Sequence, residues 1–484
     1  MGSVSAKRRV PKREVKQSTL PAGEAKRILD KIAILDLVIP QGEIRQVLQD
    51  TGCLDSRRCR ITREVIFYVV LAMGLFPELC IRQVFKHARR LNSDEWDPNR
   101  STLCKARQRL GVAPVRLLFE RVVHLLASAA TPAAFYCGLR LMAIDGSVFD
   151  VPDSEANAKA FGYPKGGRGA GAFPQVRKLS LEEVGSHVEY AFVLKGIKEK
   201  DSGEKSMVAG LLRHLKAGML LLWDRGFFSY NLWQTVQLRG CHLLARVSER
   251  YVLRPIEPLP DGSYLAKIYP CYSMRNQDRY GIKVRVIRYK LDDPARAGYG
   301  KEHVLLSTLF DAVACPAVEL IELYHKRWEI ELMYDEQKTH QTARQATKPA
   351  HLRSETPLGV IQEMYALSLA HYATRKLMVE AARQAEVSPL ELSFVGCLLI
   401  IKNRRDEYKG ADSPQAAAWV GAFWRELARE RLEPRRQRCN PRVVKRKMSK
   451  FKKKRLEHRG IKAWQRPFAD TIVVQAVAQA SGRT

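Results

Sequence analysis

LRLMAID (residues 139–145) and GMLLLWD (residues 218–224) are short apolar runs that each end on an aspartate. Their reading decides the fold. From about residue 35 to 130 apolar residues recur at helical spacing, and at Gly138 the period changes from 3.6 to 2. Short apolar runs bounded by turn residues are buried strands. Working outward, FPQVRKLSLEEVGSHVEYAFVLKG (173–196) predicts two strands around a polar turn at 184–186, and CHLLARV (241–247) another strand. EKSMVAGLLRHLK (204–216) and FFSYNLWQTVQLR (227–239) predict helices. Three strands followed by alternating helix and strand indicate a mixed α/β sheet.

The flanks differ from this centre. REVIFYVVLAMGLF (63–76) predicts a buried helix, and SDEWDPNRSTLCKARQRLG (93–111) a turn and a helix capped by Ser101 or Thr102. Lys105, Arg107 and Arg109 decorate that helix, either as phosphate contacts or as a solvated face. Past the core, residues 248–310 alternate β-prone runs with Pro, Gly and Tyr turns, as a β-rich insertion does. Pro316 suits a first helical turn, and helices are expected at 357–378, 388–405 and 413–432, the last two packed on the core or on a second subunit. The organisation is therefore a basic flexible arm (1–34), an all-α unit (35–135), an α/β core (136–247 and 311–380) interrupted by the insertion (248–310), C-terminal helices (381–432) and a basic tail (433–484).

The balance of 82 Lys+Arg against 51 Asp+Glu leaves a net charge of +31. Such an excess attracts polyanions, and with no apolar run long enough for a bilayer the expected partner is nucleic acid, not a membrane. Residues 435–462 alone hold fourteen Lys/Arg and one acid, Glu457. That density stays extended until a polyanion neutralises it. The ten cysteines show no CxxC pair, and MGSVSAKRRVPKREVKQ lacks an apolar secretory region, so reduced thiols in a cytoplasmic protein are expected.

Asp145 is followed by Gly146 and Ser147, and Asp224 by Arg225 and Gly226, so each carboxylate is expected where a strand turns away at its carboxyl end. YHKRWEIELMYDEQK (324–338) supplies a third acid. At 100° per residue Tyr324, Arg327, Glu331 and Lys338 fall at roughly 0°, 300°, 340° and 320° on a helix, one stripe. An ion-paired solvated face would give the same pattern. A helix packed across the sheet could instead bring Glu331 to Asp145 and Asp224. Three such carboxylates suit two Mg²⁺ ions, with Mn²⁺ able to substitute, for attack on a phosphodiester. Arg327 and Lys338 would hold phosphates. His325 and His340 lie off the stripe and are expected in solvent. No GxxxxGK[ST] loop, GxSxG elbow or HExxH motif competes.

With these residues in place, the chain resembles the DDE transposases of bacterial insertion sequences, in the insertion-sequence-four branch with its Y-R-E-K signature. Tyr324, Arg327, Glu331 and Lys338 meet the signature's spacing, and IDGSVFDVPD (144–153) and WDRGFF (223–228) look like its two aspartate blocks. CRITREVIFYVVLAMGLF and STLCKARQRLG are similar to the branch's helical N-terminal domain, LRSETPLGVIQEMYALSLAHYATR (352–375) to the segment after its glutamate, and PRVVKRKMSKFKKK (441–454) to its basic ending. The resemblance implies a ribonuclease H-like core, metal binding by Asp145, Asp224 and Glu331, DNA contacts by Tyr324 and Arg327, and a backbone phosphate on Lys338. It further implies a nucleoid-associated bacterial enzyme that pairs two terminal inverted repeats as a homodimer, cuts them through a hairpin and joins them to target DNA. A DNA-binding protein that no longer cuts, and a metal-dependent nuclease with the same core, are the competing readings.

Overall fold

The computed structural model describes residues 33–476 apart from 41, 57, 58, 60, 90–96, 167, 168, 295, 297, 346, 347, 350, 351, 406, 409–414, 434–437, 440–461, 464 and 465. The expected arm and most of the basic tail lie outside the described residues.

The N-terminal unit is helical, as its 3.6-residue period predicts: α1 (Glu43–Asp50), α2 (Arg63–Leu75), α3 (Ile81–Arg89), α4 (Arg100–Leu110) and α5 (Ala113–Val122). Helix α2 is capped by Thr62, whose side chain accepts from Val65 N–H, and is buried almost all round. The cap of α4 is Asn99, not the expected Ser101 or Thr102: its Oδ1 accepts from Thr102 N–H at 2.8 Å, and the helix starts at Arg100, two residues earlier than a Ser101 cap would place it.

The core sheet starts with β1 (Leu139–Asp150), β2 (Gln175–Glu183) and β3 (Val188–Gly196), followed by β4 (Met219–Trp223) and β5 (His242–Val247). The β-rich stretch supplies β6 (Tyr264–Ile268), β7 (Ile282–Leu291) and β8 (His303–Ser307). Strand order is β3-β2-β1-β4-β5-β8-β7-β6 within one sheet of eleven strands, so the insertion extends the core sheet through β5–β8 pairing and has no separate sheet of its own. β1–β4 and β4–β5 are parallel, and the other neighbouring pairs in this order are antiparallel.

Between β3 and β4 one helix was expected over 204–216. The chain instead makes one α-turn, α6 (Glu204–Met207), and two 3₁₀ turns. At Gly210 a Cβ would stand 2.7 Å from Val193, so the segment packs closely on β3. Helix α7 (Tyr230–Gln237) follows β4 as expected.

After β8 come α8 (Ala317–His325), a 3₁₀ turn (Lys326–Trp328), α9 (Glu329–Asp335) and a π-turn (Glu336–Gln341). The expected single α-helix is thus rewound twice along the Y-R-E-K residues. The 28-residue α10 (Pro357–Gln384), capped by Thr356, then runs between the helical unit and the sheet. At Gly74 of α2 any side chain would collide with the Ala366 backbone of α10, which fixes a close crossing. Arg353, just ahead of α10, donates to the Met73 and Phe76 carbonyls and so satisfies the C-terminus of α2. Helices α11 (Phe394–Arg404) and α12 (Ala416–Arg429) pack on α10 of the same chain. No helix among the described residues is long and apolar enough to cross a membrane.

Candidate active site

Strand register places the first two carboxylates. β1 and β4 run parallel from Arg140↔Met219 to Ala143↔Leu222, where their pairing ends. Asp145 and Asp224 each lie two residues beyond that last rung, at matching height. Because side chains alternate along a strand, both project to the face that Ala143 and Leu222 share. That face is covered by α8 and α9, through Leu320, Ile321, Leu323, Ile330 and Met333. One expectation changes here: Asp145 does not end its strand. β1 runs on to Asp150, paired with β2 alone, so Asp145 stands at the point where the sheet loses one neighbour.

Glu331 arrives from α9. Arg327 lies between the acids, with Nη1 3.6 Å from Asp145 Oδ2 and Nη2 3.4 Å from Glu331 Oε1. Burial alone would lower its pKa, but its neighbours Tyr324, Asp224, Asp145 and Glu331 outweigh that and hold it up. Arg327 therefore feels all three carboxylates. Burial pushes the Asp145 carboxyl up to about 6, against the Gly146 N–H on its Oδ1 and the Arg327 charge, with Glu204 and Glu331 adding to the rise. Among the described residues no group of three acidic, histidine or cysteine side chains already stands at metal-holding range. The donor type nevertheless fits a hard divalent cation, since the half-buried Asp145 offers carboxylate oxygens whose charge is incompletely compensated.

Lys338 sits on the π-turn, a helical irregularity often found at functional sites. Its Nζ donates to Ser147 Oγ at 3.0 Å and Val148 O at 2.7 Å, on β1 just past Asp145. Tyr324 departs from the expected open stripe. It is 7% exposed, on the core-facing side of α8, and its hydroxyl has no hydrogen-bond partner among the described residues. Burial raises its pKa, with nearby Asp224 adding to the rise.

Arg107 is a second correction. It is buried, and its guanidinium donates to Gln362 Oε1, Ser354 Oγ and the Gly359 carbonyl, joining α4 to the start of α10. It is a structural cation with no free donor face for DNA. Lys105 and Arg109 are exposed, Arg109 donating to the Ile61 carbonyl. His325 is not in solvent either: its ring packs 4.1 Å from that of Phe468, and burial pushes its pKa down to about 4.

Sequence reasoning missed the contacts that hold this helix in register. Tyr334 donates to the Asp145 carbonyl at 2.8 Å. Glu336 meets His187, His371 and Arg375; burial alone would raise its carboxyl, and these cations and donors hold it well below the usual range. Gln337 and Glu189 share the buried ammonium of Lys178. The signal was present as the opposite charges of Lys178 and Glu189 inside the two predicted strands, where burial is costly unless partners are waiting.

Residues 29–120 match the family model for the insertion element 4 transposase N-terminal region, and residues 136–371 match that for the transposase DDE domain. The class is therefore a DDE transposase, an enzyme of DNA cleavage and transfer, and the chain belongs to its insertion-sequence-four family. It is similar to transposase InsG for insertion sequence element IS4 of Escherichia coli (strain K12), 28% identical over 412 residues, 83% of this chain and 89% of InsG. It is also similar to putative transposase InsZ of the same strain, 28% identical over 144 residues, 30% of this chain and 47% of InsZ. Among solved structures, a piggyBac transposase synaptic complex with hairpin DNA matches at a TM-score of 0.41 and 11% identity, over 82% of this chain and 85% of that one.

Proposed function

We propose that the chain is an active cut-and-paste transposase with a ribonuclease H-like core, which binds the terminal inverted repeats of an insertion sequence and cuts and rejoins DNA at Asp145, Asp224 and Glu331. The observation that carries this reading is that Asp145 and Asp224 stand at matching height beyond the last β1–β4 rung, with Arg327 paired to both Asp145 and Glu331 over them. Those carboxylates would hold two Mg²⁺ ions. Bound there, the ions supply Lewis acidity that activates the attacking oxygen and stabilises the leaving one.

The chain's own residues do the rest. Lys338 spends two of its three N–H donors on β1, which leaves one aimed ammonium hydrogen for a phosphate oxygen. Arg327, beside Asp145 and Glu331, offers its guanidinium to a phosphate oxygen of the bound DNA. In cutting, a water oxygen bonds to phosphorus and the P–O3′ bond breaks, leaving a 3′-hydroxyl and a 5′-phosphate. In joining, that 3′-hydroxyl bonds to a target phosphorus and displaces the target's own 3′-oxygen as its hydroxyl. Bonds broken and formed are of one kind, so no external energy source is required. The resemblance to the Y-R-E-K branch adds to this reading a hairpin stage at the cut ends and a homodimer that holds them.

The test incubates the full chain with a duplex bearing the element's own ends and a target plasmid, with Mg²⁺ or Mn²⁺. Cut ends and joined products are expected. Clean cutting without joined products supports the nuclease reading instead, and binding without cutting supports the silent DNA-binding one.

A further inference from the structure

Glu204 opens the single turn α6 and is half-exposed. Its side chain lies across Gly146, the residue after Asp145: a Cβ at 146 would stand 2.5 Å from Glu204 Oε1 and 2.8 Å from its Cδ. Alternation along β1 directs position 146 to the opposite face from Asp145. Glu204 therefore reaches β1 from the layer opposite α9, at the height of Asp145. The turn that carries it packs on the 3₁₀ turn Arg225–Phe227 directly after Asp224 and is tied there by Lys205 Nζ, which donates to the Phe228 carbonyl at 2.9 Å. Glu204 thus neighbours both aspartate exits.

We propose that Glu204 is a fourth carboxylate of the metal site, reaching the cation held by Asp145 from the other face of the sheet through the gap that Gly146 leaves.

Three observations support it. Among the described residues the Glu204 carboxylate has neither an ion pair nor a hydrogen bond, although the chain carries a net charge of +31. Lys205 ties the turn that carries Glu204 to the segment directly after Asp224, which holds Glu204 between the two aspartate exits. Gly146 has no positive φ, and the space a side chain would take there is occupied by the Glu204 carboxylate. A divalent cation favours carboxylate oxygens and keeps water and phosphate in its remaining positions, so an extra acid on the far side of Asp145 leaves the DNA side open.

This inference rests on the metal reading above, and its test separates the two. Mn²⁺ binding to the full chain without DNA is measured by electron paramagnetic resonance for wild type, Glu204→Gln, Gly146→Ala, Asp145→Asn and Asp224→Asn, with thermal unfolding of each as control. Glu204→Gln is expected to weaken one Mn²⁺ site about tenfold and to raise the Mg²⁺ concentration for half-maximal cleavage by a similar factor. Gly146→Ala should do the same by displacing Glu204 while Asp145 keeps its carboxylate, and Glu204→Asp should recover part of the affinity. Wild-type Mn²⁺ affinity and Mg²⁺ dependence in Glu204→Gln, with Asp145→Asn and Asp224→Asn weakened, overturns this inference alone. Unchanged binding in all of them overturns the metal reading beneath it.

Discussion

Arg327 reaches Asp145 across 3.6 Å, with the same guanidinium 3.4 Å from Glu331. A cation of the chain's own thus stands where the acids would otherwise repel one another, and an incoming metal must compete with it. Arg327→Ala removes that competitor. Mn²⁺ should bind the DNA-free variant about five- to tenfold more tightly, on the order of 1 kcal/mol of lost repulsion at a partly screened site. Cleavage should fall at least about tenfold as the phosphate contact is lost. Weaker Mn²⁺ binding in calorimetry would contradict this arrangement.

Asp145 carries a stability cost. Its carboxyl is pushed up to about 6 from an ordinary 3.8, so the folded state disfavours the ionised form. The sign follows: below about pH 4 the group is protonated folded or unfolded and costs nothing, and stability is lost as pH rises through the window to about 6. Asp145→Asn should therefore stabilise the metal-free chain by about 2 kcal/mol at neutral pH, with the gain shrinking towards pH 4. Thermal unfolding across that range reads it. A gain independent of pH would point to packing instead.

Lys338 is held as a point charge, bonded to Ser147 and Val148 and 5.0 Å from the centre of the Phe149 ring. A planar guanidinium cannot reproduce that fork-free geometry on a half-buried ledge. Lys338→Arg should lose about tenfold or more in single-turnover cleavage with stability changed by less than about 1 kcal/mol. Full activity would show that charge alone suffices.

The two neighbouring cations of α4 should separate cleanly. Arg107→Ala strips three buried partners and should cost about 3 kcal/mol of stability while leaving the salt dependence of DNA binding unchanged. Lys105→Ala should leave stability within about 0.5 kcal/mol and, if Lys105 meets a phosphate, flatten the log–log salt slope by about 0.9. Unfolding curves and salt titrations distinguish them.

What the sequence disclosed follows from what periodicity encodes. Apolar runs ending at Asp145 and Asp224 located the sheet because strand alternation and register are local properties. Position along the strand was less legible: β1 continues past Asp145, because pairing with β2 alone sustains it, and no local signal marks the loss of β4. The stripe of Tyr324, Arg327, Glu331 and Lys338 was visible at 100° per residue, but the 3₁₀ and π turns that rewind it depend on tertiary contacts of Glu336 and Gln337 with residues far away in sequence. Burial misled most for charged and aromatic residues. Arg107 and Tyr324 look like surface residues on a helical wheel, and only packing against α10 and the sheet takes them inside.

The central claim is that Asp145, Asp224 and Glu331 act together on a phosphodiester. Its most direct test is single-turnover cleavage of an end-bearing duplex by Asp145→Ala, Asp224→Ala and Glu331→Ala, with DNA binding measured on the same samples. All three should bind nearly as wild type and cut at no detectable rate with Mg²⁺. Cleavage at the wild-type rate by any one of them would contradict the account.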